Sequence, residues 1–378
     1  MEDAAPSSAS TPPLAPSLSP LQLALIGGTV GFGLFLTLGG ATQLLNASFG
    51  LWFTELFIFV GVAWVLLRLG GYEPWSYTGV SAPRLGPSAM GFALGVANFF
   101  AIVVPIQYVA QSMAPQWLRD LFDVSRVFDS QSPLELALML AGVCLAAPTC
   151  EEFFFRGLVQ KGLLSSSLSR PGAVAVTAVV FSAFHLDPVG FLARVELGVL
   201  FGVLRLYTGS LWPAIFAHAA NNMVSSGLFL AVRDTAAAAS DARPPLKLIL
   251  LVMAGGGLAL GLLVALMRAF PGLWGARQEP ATTVVPSPSA VRVLAPWVLG
   301  STLAVAALVL VDTRGIRLNM VDLAQRLQKL PKDAPDALQA ERAHLKRLRQ
   351  EARGGRIPME AYEEELARQA KAHPKKAK

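Results

Sequence analysis

Residues 133–156 read PLELALMLAGVCLAAPTCEEFFFR. An apolar run of this length suits a helix that crosses about 30 Å of hydrocarbon, since each residue adds about 1.5 Å of rise. Two adjacent carboxylates, Glu151 and Glu152, interrupt it, and an acid within a membrane costs a few kcal/mol. Something must compensate them. Glu152 and Arg156 stand at i and i+4 with the acid on the N-terminal side, the favourable order for an ion pair on one helix face. Glu151 lies about 100° round the helix and has no such neighbour. That suits a carboxyl group that takes a proton from water and returns it to a leaving group. Taken alone, the segment also fits a helix end at the membrane surface with hydrated acids.

The rest of the chain has the same character. Of 378 residues 53% are hydrophobic and only 15% charged, and mean hydropathy is +0.51, which excludes an ordinary soluble globule. Apolar runs near 21–45, 51–67, 89–110, 133–155, 171–186, 190–207, 211–232, 246–267 and 294–311 predict nine helices. The fold class is therefore all-α, a polytopic membrane helix bundle with an eight-helix core and a ninth, added span. Residues 1–20, rich in Ser, Pro and Ala, lack the basic stretch of a signal peptide and read as a disordered lead. The membrane domain covers 21–270, a Pro/Thr/Ser-containing flexible linker 271–293, the added span 294–311 and a charged tail 312–378. Gly27-Gly28, Gly39-Gly40 and Gly255-Gly256-Gly257 suit close helix packing in lipid. Cys144 and Cys150, the only cysteines, stand six apart, about 9 Å along one helix and on different faces, so they read as two small buried hydrophobes that do not bridge.

The net charge of +6 belongs to the tail: from Asp312 onward sixteen Lys or Arg face ten Asp or Glu, a difference of 16 minus 10. A basic tail can bind anionic lipid or a partner protein. Nucleic-acid binding is not expected, because the tail lacks interleaved aromatics and a recognisable module. Leu323, Leu327 and Leu330, then Leu338, Leu345 and Leu348, predict short amphipathic helices, and Gly354-Gly355 with Pro358 introduces another through Glu363, Glu364 and Glu365. A solvated helical hairpin is the expectation. Lys and Arg are nearly equal in alternate short loops, so charge does not set the orientation.

Two more polar clusters lie in apolar runs. Phe181 and His185 are an i, i+4 pair, so the ring can wall a pocket around the imidazole. His218 and Asn222 share one face at the same spacing and can aim two donors at one oxyanion. Each histidine alone would more often be a helix–helix hydrogen-bonding residue. The chain has only four histidines, however, and the others, His344 and His373, lie in the tail. Arg194, Glu196 and Arg205 in the sixth run are expected to pair with one another as structural ions.

Glu151-Glu152-x-x-x-Arg156, Phe181-x-x-x-His185 and His218-x-x-x-Asn222, in that order, resemble the motifs of the CAAX protease and bacteriocin-processing family of intramembrane proteases. The run from Gly198 through Gly202, Leu206-Tyr207 and Thr208-Gly209-Ser210 to Leu211-Trp212 is similar to the family's usual stretch between its second and third motifs. The resemblance covers roughly 130–225. It implies that Glu151 with His185 activates the attacking water, that His218 and Asn222 stabilise the tetrahedral oxyanion, and that Glu152 and Arg156, with Phe181, hold the site in shape. No cofactor is the favoured expectation. A zinc-dependent version, with Glu151, His185 and His218 as ligands, stays open, although His-Glu-x-x-His is absent.

Other chemistries fit less well. Ser182 and Ser210 lack a nucleophile context, and no pair of intramembrane Asp exists for an aspartyl route. A proton-coupled transporter would predict two related halves with interrupted helices, and no repeat is visible. A non-catalytic relative serving as scaffold or immunity protein is the other alternative. The expected partners are the lipid bilayer and a membrane-anchored or lipidated protein or peptide substrate. Ala-rich composition with a basic tail suggests a bacterial protein, and hence the inner (plasma) membrane.

Overall fold

In the computed structural model the described residues are 15–80, 82–122, 133–232, 244–271, 281–325 and 336–372. Their regular elements are helices: α1 Pro20–Leu45, α2 Ala47–Gly70, α3 Pro74–Thr78, α4 Leu85–Met113, α5 Gln116–Leu121, α6 Pro133–Leu164, α7 Arg170–Phe184, α8 Phe191–Thr208, α9 Trp212–Val232, α10 Leu246–Ala269, α11 Ala290–Val311, α12 Thr313–Gln325, α13 Asp336–Arg353 and α14 Met359–Ala372. All nine apolar runs are helical. By length and composition only six qualify as membrane spans, namely α1, α2, α4, α6, α10 and α11. The other three, α7 to α9, are the shorter or more polar ones, and two of them carry the histidine motifs. Large apolar side chains on α10 and α11, such as Leu258 and Leu310, lie exposed on the outside, as a lipid-facing surface requires.

Local chemistry sets the ends. Ser19 and Gln22 form a capping box ahead of Pro20, Asn46 accepts the Phe49 amide to start α2 after a one-residue break, and Ser169 caps α7. Gly71 and Gly209 end α2 and α8 at φ of 84° and 64°, where a side chain would be strained.

The core is built on α6. Its Phe154, Phe155 and Leu158 are fully buried, and Phe154 and Phe155 pack against Phe59 of α2 and Phe184 of α7. Small residues bring other backbones together. A Cβ on Gly91 or Gly95 of α4 would come within 2.2 or 2.3 Å of the Pro213 and Ala217 carbonyls of α9, so this Gly-x-x-x-Gly pair seats α4 against the helix carrying His218. Of the glycine runs expected to pack, Gly27, Gly39 and Gly256 do so, against Leu158, the Thr54 and Ile58 side chains and the Phe100–Ala101 backbone, while Gly28, Gly255 and Gly257 have open space around them.

Three sequence expectations are corrected. Residues 281–289 of the linker are pinned: Glu73 donates its amide to the Thr283 carbonyl, Val285 donates to Gly71, and Lys161 reaches the Thr282 hydroxyl at 3.1 Å. Polar linker backbone finds its hydrogen bonds on the turn after α2, which hydropathy cannot reveal. The end of the lead is also fixed, since Ser17 bonds the Gly70 and Leu69 carbonyls; residues 1–14 lie outside the described residues. Third, the tail is a packed unit of three helices. Leu318, Leu345, Ala352, Met359, Tyr362 and Leu366 form its own core. Arg353 pairs with Glu135 and Asp312, Asn46 donates to Asp312 at 2.8 Å and Asn319 to the Leu45 carbonyl, so the unit docks at the α1–α2 junction. Leu327, Leu330 and His373 lie outside the described residues.

Candidate active site

Two stretches of wider, π-type turns in α6, Gly142–Ala146 and Phe153–Gln160, flank the regular segment Ala147–Glu152. Such turns re-aim side chains within one helix and recur at functional sites. Here Glu151 and Glu152 are both buried, at 8% and 0% exposure, and they face different partners. Glu152 Oε1 receives Arg156 Nη1 at 2.9 Å and faces His218 Nδ1 at 3.0 Å. The second arm of Arg156 donates to the Gly198 carbonyl of α8 at 3.0 Å. Its guanidinium lies over the Phe181 and Phe201 rings, 4.6 and 5.2 Å from their centroids. The expected Glu152–Arg156 pair therefore forms, and it ties α6 to α8 and α9. Removing one member of so buried a pair typically costs about 3–5 kcal/mol.

Glu151 Oε2 makes no hydrogen bond. The imidazole that closes on it is His218, whose Nε2 lies 3.9 Å away. Because Glu152 accepts from Arg156, His218 Nδ1 is the donor toward it, which leaves Nε2 directed at Glu151. His218 stacks on Phe201 with centroids 4.7 Å apart and meets the Phe181 ring edge-on at 5.8 Å. His185 packs on the same Phe181 ring at 5.0 Å. One aromatic side chain thus holds both histidines and the guanidinium. His185 caps the end of α7, and its Nδ1 lies 3.0 Å from the Phe181 carbonyl. A carbonyl only accepts, so Nδ1 carries the proton and Nε2 is the free acceptor. Asn222, partly buried, donates through Nδ2 to the Val143 carbonyl at 2.8 Å and accepts from Asn221.

The expected ion set in α8 is corrected. Arg194 pairs with Asp187 at 2.8 Å, Glu196 accepts from Asn98 of α4 at 2.9 Å, and Arg205 donates to the Thr78 carbonyl at 3.2 Å. Each finds a partner on another element or in the α7–α8 turn, which spacing within one helix cannot show. Ser182 donates to the Phe191 carbonyl at 2.8 Å.

Sequence reasoning missed two contributors, Phe201 and Glu55, and the role of a third, Gly198, named only as the start of the family-like run. Phe201 and Gly198 hold Arg156 and His218 but have no chemistry of their own to announce that role. Glu55 of α2 is 2% exposed, with an unpartnered Oε2 and within electrostatic reach of Glu151 and Cys150. Its signal was present, an acid inside the apolar run 51–67.

α7 has 15 residues, about 22 Å of helix. It is too short to stand among the six membrane spans, and the turn that follows carries Asp187, which pairs with Arg194 of α8.

Glu151, His185 and His218 are the donors a zinc ion would use. Among the described residues no group of three His, Cys, Asp or Glu side chains converges as a metal site. His218 presents its Nδ1 to Glu152 and His185 its Nδ1 to the Phe181 carbonyl, which leaves each Nε2 as the nitrogen a metal would take.

A multi-pass membrane helix bundle that buries a carboxylate, a paired imidazole and a locked Glu–Arg pair among its apolar helices has the makings of an intramembrane hydrolase. Residues 133–224 match the family model described as "Type II CAAX prenyl endopeptidase Rce1-like", which supports the CAAX protease and bacteriocin-processing family and, at that level, a CAAX-type intramembrane protease. No curated protein and no solved structure matches the chain.

Proposed function

We propose that this protein is a glutamate-dependent intramembrane endopeptidase that hydrolyses a peptide bond of a membrane-anchored or lipidated protein. The observation that carries this reading is the pairing of an unbonded, buried Glu151 oxygen with His218 Nε2 at 3.9 Å, beside a second imidazole whose free nitrogen is an acceptor. Glu151 and His185 Nε2 are two acceptors that can each take one hydrogen of a water molecule, leaving its lone pair for the scissile carbonyl carbon. Glu151 takes the proton as the carbon–oxygen bond forms, and returns it to the amide nitrogen as the carbon–nitrogen bond breaks. A protonated His218 Nε2 and the second N–H of the Asn222 amide are the donors for the tetrahedral oxyanion, each such donor being worth about 3 kcal/mol. Glu152, Arg156 and Phe181 fix the ring that faces Glu151. The proposed setting is the bacterial inner membrane.

The test uses full-length protein in liposomes and an internally quenched farnesylated peptide ending in a CAAX box, with the unprenylated peptide as control. Wild type is expected to cleave, and Glu151→Gln to be inactive while inserting normally. Full activity of Glu151→Gln would overturn the assignment. Exhaustive chelation with metal analysis separates the mechanisms: retained activity without bound metal supports the glutamate route, and loss restored by zinc supports the metal route. Comparing membrane-protein termini in cells carrying wild type or Glu151→Gln would identify the natural substrate.

A further inference from the structure

His185 is weakly held for a residue at a reaction centre. Its ring makes a single hydrogen bond, to the Phe181 carbonyl, and one edge contact with the Phe181 ring, and it is otherwise exposed. Its direction therefore depends on the backbone of the turn that follows. That turn is strained: Leu186 is the one non-glycine residue with positive φ among the described residues, at 54°. Such a conformation is disfavoured for a side chain with a Cβ and persists only where its surroundings impose it.

The surroundings here are specific. Asp187 is buried. Its Oδ1 accepts the Val189 amide at 2.9 Å and its Oδ2 receives Arg194 Nη1, from the first turn of α8, at 2.8 Å. Gly190 leaves room for this pair, since a Cβ there would lie 2.3 Å from Arg194 Nη1 and 2.6 Å from Asp187 Oδ2. The Ser182 hydroxyl, one turn before His185, donates to the Phe191 carbonyl. The end of α7 and the start of α8 are thus cross-pinned around the histidine. Among the described residues the ion pair is the charged part of that clasp.

We propose that the Asp187–Arg194 ion pair is a positioning device for His185, holding the α7–α8 turn in the conformation that keeps the imidazole on Phe181 with Nε2 free. Neither residue touches the reacting atoms; both act through the turn. This rests on the reading of His185 as a group of the reaction, and the experiment separates the two.

Full-length protein is made as wild type, Asp187→Asn, Arg194→Gln, Arg194→Lys and the Asp187→Asn/Arg194→Gln double variant. Asp187→Asn keeps an acceptor for the Val189 amide and removes only the charge. Two measurements are taken. The first is the tautomer of His185 by nitrogen NMR of histidine-labelled protein in liposomes, assigned with His185→Gln; it requires no substrate. The second is turnover of the farnesylated quenched peptide. Wild type should show a single Nδ1-protonated tautomer, and the Asp187→Asn and Arg194→Gln proteins a mixture. Their kcat should fall about 10- to 100-fold, the scale of a misplaced catalytic group, with KM within about twofold. Arg194→Lys should restore most of both, and the double variant should be no worse than the poorer single one, as for a coupled pair.

An unchanged His185 signature in Asp187→Asn overturns the proposal whatever happens to turnover, because a structural defect elsewhere would lower activity without moving that signal. Additive losses in the double variant overturn it too. If Glu151→Gln cleaves like wild type, the catalytic reading falls, and the tautomer measurement still decides whether the ion pair orients the imidazole.

Discussion

Glu151 and Glu152 are neighbours in sequence and both buried, and the structure predicts opposite consequences for the same substitution. Glu152→Gln removes the charge that faces Arg156 at 2.9 Å and His218 at 3.0 Å with no exposed surface on either member of the Glu–Arg pair. The guanidinium is then left without its counter-charge, and the expected loss is about 3–5 kcal/mol. Part of it is recovered because the Gly198 carbonyl still accepts from Arg156. Glu151→Gln removes a carboxylate whose Oε2 makes no hydrogen bond and whose nearest imidazole nitrogen is 3.9 Å away. Its stability cost should be below about 1 kcal/mol, while turnover falls by about 10²–10⁴, the contribution of a general base. The assay is equilibrium unfolding of purified protein in mixed micelles with increasing SDS, followed by tryptophan fluorescence and circular dichroism, alongside peptide cleavage. Equal destabilisation by the two variants, or a loss above about 2 kcal/mol for Glu151→Gln, would refute the division of labour between a locked structural acid and an unengaged reactive one.

Asn222→Ala should lower kcat by about 10²-fold for one oxyanion donor, and stability by only about 1 kcal/mol for the lost bond to Val143, as read from turnover and SDS unfolding. Gly95→Val should separate α4 from α9 and reduce both stability and turnover, since its Cβ meets the Ala217 backbone, whereas Gly255→Ala, with open space around it, should leave both within error. In the tail, Tyr362→Phe removes a 2.6 Å hydrogen bond to Asp322 in the three-helix core. It should cost that unit about 1.5–3 kcal/mol, the scale of a hydrogen bond to a charged group, seen as faster proteolysis of 312–378 with peptide cleavage unchanged.

Composition and spacing alone were enough to read the class of fold and to name the residues of the candidate site. Apolar runs long enough to cross hydrocarbon leave a chain no choice but helices, and ionisable residues within them are costly enough to stand out, which is why Glu151, Glu152, Arg156, His185, His218 and Asn222 were legible. Spacing at i and i+4 correctly paired Glu152 with Arg156, because that contact lies within one helix. Spacing could not say which histidine meets which acid. Helix α9 lies where the Gly91 and Gly95 backbone lets it approach, and this brings His218 to both glutamates while His185 turns to its own helix's carbonyl. The partners of Arg194, Glu196 and Arg205, the burial of Glu55 beside the site, the pinned linker and the docked tail were likewise decided by tertiary structure. Each depends on contacts between elements far apart in the chain, and the energy of such contacts is set by approach and burial, which no local pattern of residues encodes.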